Sequence, residues 1–188
     1  MQPLDLQYWT AYAKDHAKHY NYEMSKFVSD LVVSLRCTSV LEVGCSAGND
    51  LMLFPENIHV AGVDVGEGIL EYARKNLPKS EFKVGSVTSI HYEDSSFDFV
   101  FTKNMLNHIE DFKVQKALNE LFRVSRRYVM NIEVFSEDES VLSDKPVRTV
   151  GRNMLKRWMD YKVKIISNVD MHEEIDPKRS RFTLVRKV

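Results

Sequence analysis

The sequence predicts an α/β fold in which a parallel β-sheet is covered by helices on both faces. Short apolar runs of strand length alternate along the chain with longer segments whose apolar residues recur at helical spacing. Such alternation is typical of βαβ units, whose strands are buried on both faces. The chain has 188 residues, of which 44% are hydrophobic, and this is enough for one domain of ordinary size.

The first half of the chain carries three predicted strands and three predicted helices. Apolar residues at helical spacing predict the helices, and short continuous apolar runs predict the buried strands. Pro55 and Pro78 follow two of the helices and stop them. In chain order, we expect a helix over 22–35, a strand over 39–43, a short helix over 48–54, a strand over 58–63, a helix over 67–77 and a strand over 82–84.

The second half continues the alternation and then changes character after residue 135. Residues 136–147 are polar, contain Pro146 and are interpreted as a loop. Since no internal repeat or low-complexity linker interrupts the chain, we treat 1–188 as a single domain. The remaining expected elements are a strand over 97–102, a helix over 113–124, a strand over 128–135, a helix over 149–161 and two β-like runs over 162–169 and 181–188.

Composition and charge exclude several classes of protein. Lys and Arg total 26 against 27 Asp and Glu, so the net charge is −1, and nucleic acid is not favoured as a partner. The two cysteines, Cys37 and Cys45, are too few for a disulfide framework and are interpreted as reduced thiols. No apolar stretch reaches the roughly 18–20 residues that span a bilayer, and the N-terminus lacks the features of a signal peptide. We therefore expect a cytoplasmic protein without a membrane partner.

The glycines point to one region as the ligand site. Six of the seven lie between Gly44 and Gly85, so this region needs backbone conformations that glycine adopts cheaply. Glu42 to Gly48 has the pattern E-x-G-x-x-x-G at a predicted strand-to-helix junction, where a ligand approaches the backbone and the helix N-terminus offers free N–H donors. Asp64 ends the next predicted strand, and a carboxylate there accepts the hydroxyls of a ribose.

The same turn favours a cationic nucleoside over a dinucleotide. A dinucleotide site has the pattern G-x-G-x-x-G, whereas here Ser46 replaces the middle glycine and Glu42 stands at the strand end. A carboxylate repels a pyrophosphate but suits a ligand with a positive amino group, such as S-adenosylmethionine. An NAD-dependent oxidoreductase is thus a weaker alternative. The other alternative is that these residues only form a tight turn, with Glu42 solvated and no ligand bound.

Taken together, these residues resemble the class I S-adenosylmethionine-dependent methyltransferases over about 40–135. The resemblance implies a Rossmann-like three-layer sandwich of about seven strands, mostly parallel with the last strand antiparallel, and S-adenosylmethionine as cofactor. It also implies which residues line the cofactor. They are Glu42, Gly44, Cys45, Ser46, Gly48, Asp64, Val65, Gly85, Ser86, Val87, Thr102 and Asn104. Ser86 departs from the family pattern, in which many members have an acid at that position.

Two further stretches, 97–109 and 119–128, give a narrower resemblance to methylases associated with pseudaminic acid biosynthesis. That resemblance implies methylation of a small molecule on O or N, and it fades after Phe135. The substrate and the oligomeric state stay open. A methyltransferase-like protein that binds the cofactor without turnover is a further alternative.

His108 is the candidate general base, because it follows the fourth predicted strand and imidazole titrates near neutrality. A histidine that only packs in the structure is the alternative. Lys103, Asn104 and Asn107 are expected to line the pocket. We predict no metal site, because His16 and His19 have no acid or cysteine set with which to bind a metal.

The two ends of the chain flank this core, which we place at 37–135. Residues 1–36 are rich in aromatic rings and are interpreted either as a lid, with Tyr12 and Tyr20 contacting the ligand, or as an extra packed helix. Residues 136–188 are placed on the substrate side. From 145 to 188 there are 12 Lys and Arg against 5 Asp and Glu. Four of these basic residues are expected on one helix: Arg148, Arg152, Lys156 and Arg157. They either form a solvated helix face or attract an acidic substrate.

Overall fold

The computed structural model describes residues 3–188, with side chains from Leu6 onward. Its helices are α1 (Pro3–His16), α2 (Tyr22–Ser34), α3 (Glu67–Asn76), α4 (Asp111–Val124) and α5 (Met154–Trp158), with short 3-10 helices at Asn49–Leu51 and Leu106–His108. Its strands are β1 (Ser39–Val43), β2 (His59–Asp64), β3 (Glu81–Val84), β4 (Phe97–Lys103), β5 (Ser125–Glu133), β6 (Val141–Ser143), β7 (Thr149–Val150), β8 (Val163–Asp170) and β9 (Arg181–Lys187).

Seven of these strands form one sheet in the order β3-β2-β1-β4-β5-β9-β8. Strands β1 to β5 are parallel to their neighbours, and β9 lies antiparallel between β5 and β8. The predicted fold class is therefore confirmed, including the number of strands and the antiparallel direction of the last one. No helix in the described part of the chain has both the length and the apolar character needed to cross a membrane.

Helices cover both faces of the sheet, which makes three layers. Met24, Val28 and Val32 of α2 and Leu70 and Ala73 of α3 pack against one face. The opposite face is covered by the buried residues of α4 and by α5, which inserts Met154 and the fully buried Trp158. Strand β1 is buried along its whole length, as expected for a strand with two neighbours and two covered faces.

The helix α1 lies across the edge of the sheet at which the parallel strands end. Its Leu6 and Thr10 lie against the start of α3, where glycines leave room for them. A Cβ added at Gly66 would approach Leu6 Cδ1 to 2.6 Å, and one added at Gly68 would lie 3.4 Å from Thr10 Cγ2. Because ligands of open α/β sheets bind beyond the carboxyl ends of the strands, α1 covers the region in which a ligand is expected.

Three local predictions were wrong. The helix expected over 48–54 is only the 3-10 helix Asn49–Leu51. The expected loop over 136–147 contains β6, which pairs with β7 in a small two-stranded sheet. Since β7 takes up Thr149 and Val150, the helix expected over 149–161 is shortened to Met154–Trp158.

Candidate cofactor and substrate site

The turn after β1 adopts the backbone conformations that its small residues permit. Gly44 and Gly48 have φ of +82° and +76°, and Ser46 between them has φ of +48°. The amides of Gly44 and Cys45 donate to the carbonyl of Val63 at 2.8 and 3.2 Å, which ties the turn to the end of β2. At Gly44 a side chain is also sterically excluded, because an added Cβ would lie 2.4 Å from Met105 Cγ.

Asp64 joins this turn to the next one. Its Oδ2 accepts a hydrogen bond from the Ser46 amide at 2.8 Å, and its Oδ1 accepts one from the Val65 amide at 2.7 Å. Burial raises the pKa of the Asp64 carboxyl, and these two amide donors partly oppose that change. Asp64 therefore fixes the ends of β1 and β2 relative to each other at the mouth of the site.

Glu42 lies one residue before the end of β1, inside a cluster of charged groups. Its side chain is 2% exposed, and its Oε2 has no hydrogen-bond partner among the described residues. Burial and the neighbouring Asp50 raise the pKa of the Glu42 carboxyl. Asp50 itself is paired with Lys103 at the end of β4, with Nζ 2.6 Å from Oδ2. A buried carboxylate without a partner is costly, so this position suits a ligand that brings a positive charge.

Other buried polar atoms near the glycine turn also lack partners within the described chain. They are the Ser46 hydroxyl, the side-chain oxygen Oδ1 of Asn49 and the Tyr20 hydroxyl. Buried polar atoms in native proteins are almost always hydrogen-bonded. Their concentration around one turn, together with Glu42, indicates a place at which a polar ligand binds.

The C-terminal end of α1 contacts this region directly. The side-chain amide of Asn49 donates to the carbonyl of His16 at 2.5 Å and more weakly to that of His19 at 3.3 Å. The ring centroids of Tyr12 and His16 are 3.9 Å apart. Burial raises the pKa of Tyr12, the positive charge of Lys103 opposes this shift, and the negative charge of Asp50 adds to it. Tyr12 therefore lies over the charged cluster, while Tyr20 follows α1 as a partly buried ring.

His108 lies at the opposite side of the same opening, on the 3-10 helix after β4. Its Nδ1 is 3.2 Å from the carbonyl oxygen of Arg148, and the indole of Trp9 packs against its ring at 5.0 Å between centroids. A carbonyl only accepts hydrogen bonds, so Nδ1 carries the proton and Nε2 presents its lone pair. Burial, the largest cause, lowers the pKa of His108 and keeps the ring neutral at neutral pH.

Comparisons with known proteins agree with this geometry. Residues 40–127 match a family model described as a methyltransferase domain. Phosphoethanolamine N-methyltransferase 1 of Arabidopsis thaliana is 32% identical over 78 residues, which are 38% of this chain and 16% of that protein. The chain spans less than half the length of each curated relative that it matches.

Among solved structures, a SAM-dependent methyltransferase from Methanosarcina mazei has a TM-score of 0.65 at 17% identity, with 80% of this chain and 92% of that one covered. Magnesium protoporphyrin IX methyltransferase from Synechocystis, solved with bound SAM, has a TM-score of 0.66 at 13% identity, with 87% and 78% covered. The chain has the class I methyltransferase fold. The narrower resemblance to pseudaminic acid-associated methylases finds no counterpart in these matches.

The residues of this methyltransferase fold fit S-adenosylmethionine. Glu42 offers the amino group an oxygen, Oε2, that has no hydrogen-bond partner within residues 6–188, and Asp64 lies where a ribose is expected, at the end of β2. The sulfonium is also positive, so three carboxylates near the turn, Glu42, Asp50 and Asp64, are electrostatically suited to it. The same carboxylates oppose the two phosphates of NAD.

Several of the residues predicted to line the cofactor have side chains that are buried in the core or exposed to solvent. The Cys45 thiol packs in the core and lies where a Cβ on Gly62 would meet it at 2.7 Å. Val87 is buried under the sheet. Ser86 is exposed, and its hydroxyl pairs with that of Thr88 at 2.9 Å. Val65 is exposed beyond Asp64.

Thr102 and Asn107 differ from the expectation that they face the ligand. The Thr102 side chain is fully buried, donates to Glu133 at 2.9 Å and accepts from Asn131 at 2.8 Å. The side-chain amide of Asn107 donates to the carbonyls of Val134 and Val150. Both side chains therefore hold strands and turns together. Asn104, with φ of +49°, does lie at the opening, 3.4 Å from the Ser180 hydroxyl.

Sequence reasoning missed Glu133, which ends β5. It is completely buried and accepts hydrogen bonds from the amides of Leu106 and Asn107 at 3.2 and 3.3 Å, besides that from Thr102. Burial raises its pKa to about 7, although these donors oppose the shift. An acid inside the apolar run over 128–135 was the available signal. Glu133 holds the turn that carries His108.

The basic C-terminal region is also arranged differently from the prediction. Arg152 precedes α5 and is fully buried, and its guanidinium donates to the carbonyls of Leu106 and Ile109 and to Asp111. Arg157 pairs with Glu139. The four arginines and lysines therefore do not share one helix face. Among them, Arg148 is the one whose backbone contacts His108.

Proposed function

We propose that the chain binds S-adenosylmethionine and transfers its methyl group to an oxygen or nitrogen of a small, acidic metabolite. The observation that carries this proposal is the buried Glu42 carboxyl group beside the glycine turn and Asp64, whose Oε2 has no hydrogen-bond partner in the part of the chain that the structure describes. The methyltransferase-domain match over 40–127 supports it. The proposal includes residues 1–36 as a lid over the site and 136–188 as its substrate side. A cytoplasmic location is supported by two free, buried thiols.

When bound, S-adenosylmethionine supplies an activated methyl group and the sulfonium leaving group. The protein then needs mainly to align the acceptor and to exclude water. Helix α1 covers the charged cluster, and Trp9 and Tyr12 add apolar ring surface on that side. Nε2 of His108 accepts the proton that a hydroxyl loses as its oxygen bonds to the methyl carbon. For an ammonium group, Nε2 accepts the proton first, which gives the nitrogen the lone pair with which it attacks this carbon.

The class of acceptor rests on two lines of support. The stretches 97–109 and 119–128 resemble methylases associated with pseudaminic acid biosynthesis, which favours an acidic sugar. A curated relative is named a phosphoethanolamine N-methyltransferase, which favours a small anionic amine. Both are small metabolites that carry a negative group, so an acidic acceptor is common to the two.

Calorimetric titration with S-adenosylmethionine, S-adenosylhomocysteine and NAD tests the cofactor. We expect binding of both adenosyl ligands and none of NAD. Asp64→Ala should weaken S-adenosylmethionine binding by about 1–3 kcal/mol through loss of charge-assisted hydrogen bonds, while Asp160→Ala, an exposed acid next to α5, serves as the matched control. Binding of NAD alone, or unchanged affinity in Asp64→Ala, would contradict the proposed cofactor site.

His108→Ala tests the base. Once an acceptor is found, kcat should fall by roughly 10²–10⁴-fold, in the range of general base catalysis, with S-adenosylmethionine affinity unchanged. Equal kcat in the two proteins would remove His108 from the chemistry and leave it as a packed ring.

A further inference from the structure

The end of β4 carries a largely buried lysine beside the glycine turn. Lys103 is the last residue of β4, and its side chain is 23% exposed. The chain that follows it lies against the turn, because Met105 Cγ fills the space that a side chain at Gly44 would need. Glu42 is the register partner of Phe101 on the neighbouring strand, and residues two apart on a strand share a face of the sheet. Lys103 therefore projects from the same face as Glu42.

The Lys103 ammonium has a donor that the protein leaves unused. It contacts both carboxylate oxygens of Asp50, at 2.7 Å from Oδ1 and 2.6 Å from Oδ2. Within residues 6–188, Asp50 is the only hydrogen-bond acceptor of this ammonium. Since an ammonium has three N–H donors, at least one remains for a ligand. Burial alone would lower the pKa of Lys103, but the charge of Asp50 raises it, so the side chain is positive at neutral pH.

The charges of this cluster are opposite to those of the amino acid end of S-adenosylmethionine. The protein supplies two acids, Glu42 and Asp50, and one base, Lys103. The ligand carries two cations, its ammonium and its sulfonium, and one anion, its carboxylate. Charged groups in a site of low dielectric constant need partners of opposite sign, and each group of the ligand finds one here.

The order of the strands matches the order of the groups along the ligand. Strands β2, β1 and β4 are neighbours in the sheet, and Asp64, Glu42 and Lys103 lie at or next to their carboxyl ends. Neighbouring strands are about 4.8 Å apart, so these three residues are spread over about 10 Å. With the ribose at Asp64, the amino acid end of the ligand extends along the sheet edge to β1 and β4.

We propose that Lys103 binds the carboxylate of S-adenosylmethionine while Glu42 binds its amino group. This inference rests on the proposed function, because it assigns a further contact in the same cofactor site. The donor that Lys103 has left and the Oε2 atom of Glu42 then serve two groups of opposite charge on one carbon atom. A nucleoside that lacks the amino acid leaves both unused, so this pair selects for ligands with a complete amino acid.

Isothermal titration calorimetry with two ligands tests the contact in the unmodified protein. Decarboxylated S-adenosylmethionine keeps the sulfonium and the amino group but lacks the carboxylate. We expect it to bind about 10–100-fold more weakly than S-adenosylmethionine, the value of a charge-assisted hydrogen bond. Equal affinities would overturn this inference and leave the proposed cofactor in place. Failure of both ligands and of S-adenosylhomocysteine to bind would overturn the proposed function together with the inference.

Lys103→Met removes the ammonium and keeps an apolar side chain in its place. We expect it to weaken S-adenosylmethionine binding about 10–100-fold and to leave the affinity for the decarboxylated ligand nearly unchanged. An equal loss for both ligands would show that Lys103 only neutralises Asp50, and this would overturn the inference. Lys26→Met is the matched control, because Lys26 also pairs with an aspartate, Asp30, but on the exposed surface of α2. It should leave both affinities unchanged.

A double variant covers the case in which Lys103→Met does not fold. The single substitution leaves the Asp50 carboxylate buried without its cation, which is strongly destabilising, whereas removal of both charges of such a pair is tolerated better. Asp50→Asn combined with Lys103→Met should therefore fold, as thermal unfolding will report. It should bind the two ligands with equal affinity. A preference for S-adenosylmethionine that persists in this double variant would overturn the assignment of Lys103.

Discussion

Replacing Glu133 by glutamine should change how stability depends on pH. Glu133 is completely buried at the end of β5, and its pKa is raised to about 7 from 4.5. The folded protein therefore keeps this proton up to about pH 7, whereas the unfolded chain loses it near pH 4.5. The stabilisation that protonated Glu133 provides is complete below the pKa that Glu133 has in the unfolded chain. It is lost as the pH rises through the pKa that Glu133 has in the folded protein. The shift corresponds to about 3 kcal/mol.

Glu133→Gln removes the ionisation and keeps one oxygen, at the position of Oε1, that accepts from the Leu106 amide and the Thr102 hydroxyl. The Asn107 amide, which donates to Oε2, loses its acceptor at every pH, so this loss does not change the pH dependence. We expect the free energy of unfolding of the variant, relative to that of the unmodified protein, to rise by about 3 kcal/mol as the pH increases from 4.5 to 8. Urea unfolding at a series of pH values measures this, and the difference between the two curves cancels other titrating groups. Parallel curves across that range would refute the argument that the carboxyl is protonated in the fold.

Two substitutions near the glycine turn give further expectations. Gly44→Ala should cost at least about 1–2 kcal/mol from its left-handed backbone alone and should abolish S-adenosylmethionine binding. Gly68→Ala places a Cβ in α3 at an ordinary contact distance of 3.4 Å from Thr10, so it should leave stability unchanged or raise it. Thermal unfolding and calorimetric titration measure stability and binding for both variants. Equal effects of the two substitutions would contradict the argument that Gly44 is required by its backbone conformation. Glu42→Gln should weaken S-adenosylmethionine binding about 10–100-fold, the value of a charged hydrogen bond. Because the Glu42 pKa is raised, affinity of the unmodified protein should fall as the pH drops, and a pH-independent affinity would show that Glu42 is not the partner.

The sequence was sufficient to predict those elements whose bounds are determined by neighbouring residues. Strand β1 has the predicted bounds, since its buried apolar run ends at a glycine whose φ of +82° breaks the strand. The positions of Glu42 and Asp64 at the ends of β1 and β2 were equally readable, because parallel strands bring their carboxyl ends to one edge. The order of these residues along the chain therefore predicted that the two carboxyl groups lie at the same edge of the sheet.

Features that depend on contacts between residues far apart in the sequence could not be predicted. Arg152 is buried because the carbonyls of Leu106 and Ile109, more than 40 residues earlier, accept its hydrogen bonds. The short strand β7 exists only because Val141 and Ser143 of β6 pair with it. Thr102 lies in an apolar strand like its neighbours, and only the buried Glu133 and Asn131 show that its hydroxyl turns inward. No local pattern contains these partners.

The position of β9 has a consequence for how the protein is made. This strand occupies the place between β5 and β8, so β8 is attached to the sheet only through a strand that follows it in the chain. During synthesis, the ribosome releases β1 to β5 first, and β5 then exposes an unpaired edge until residues 181–187 have emerged. Such an edge pairs readily with other chains. Translation through β8 and the loop before β9 is therefore the interval in which this edge of β5 is open to pairing with other chains.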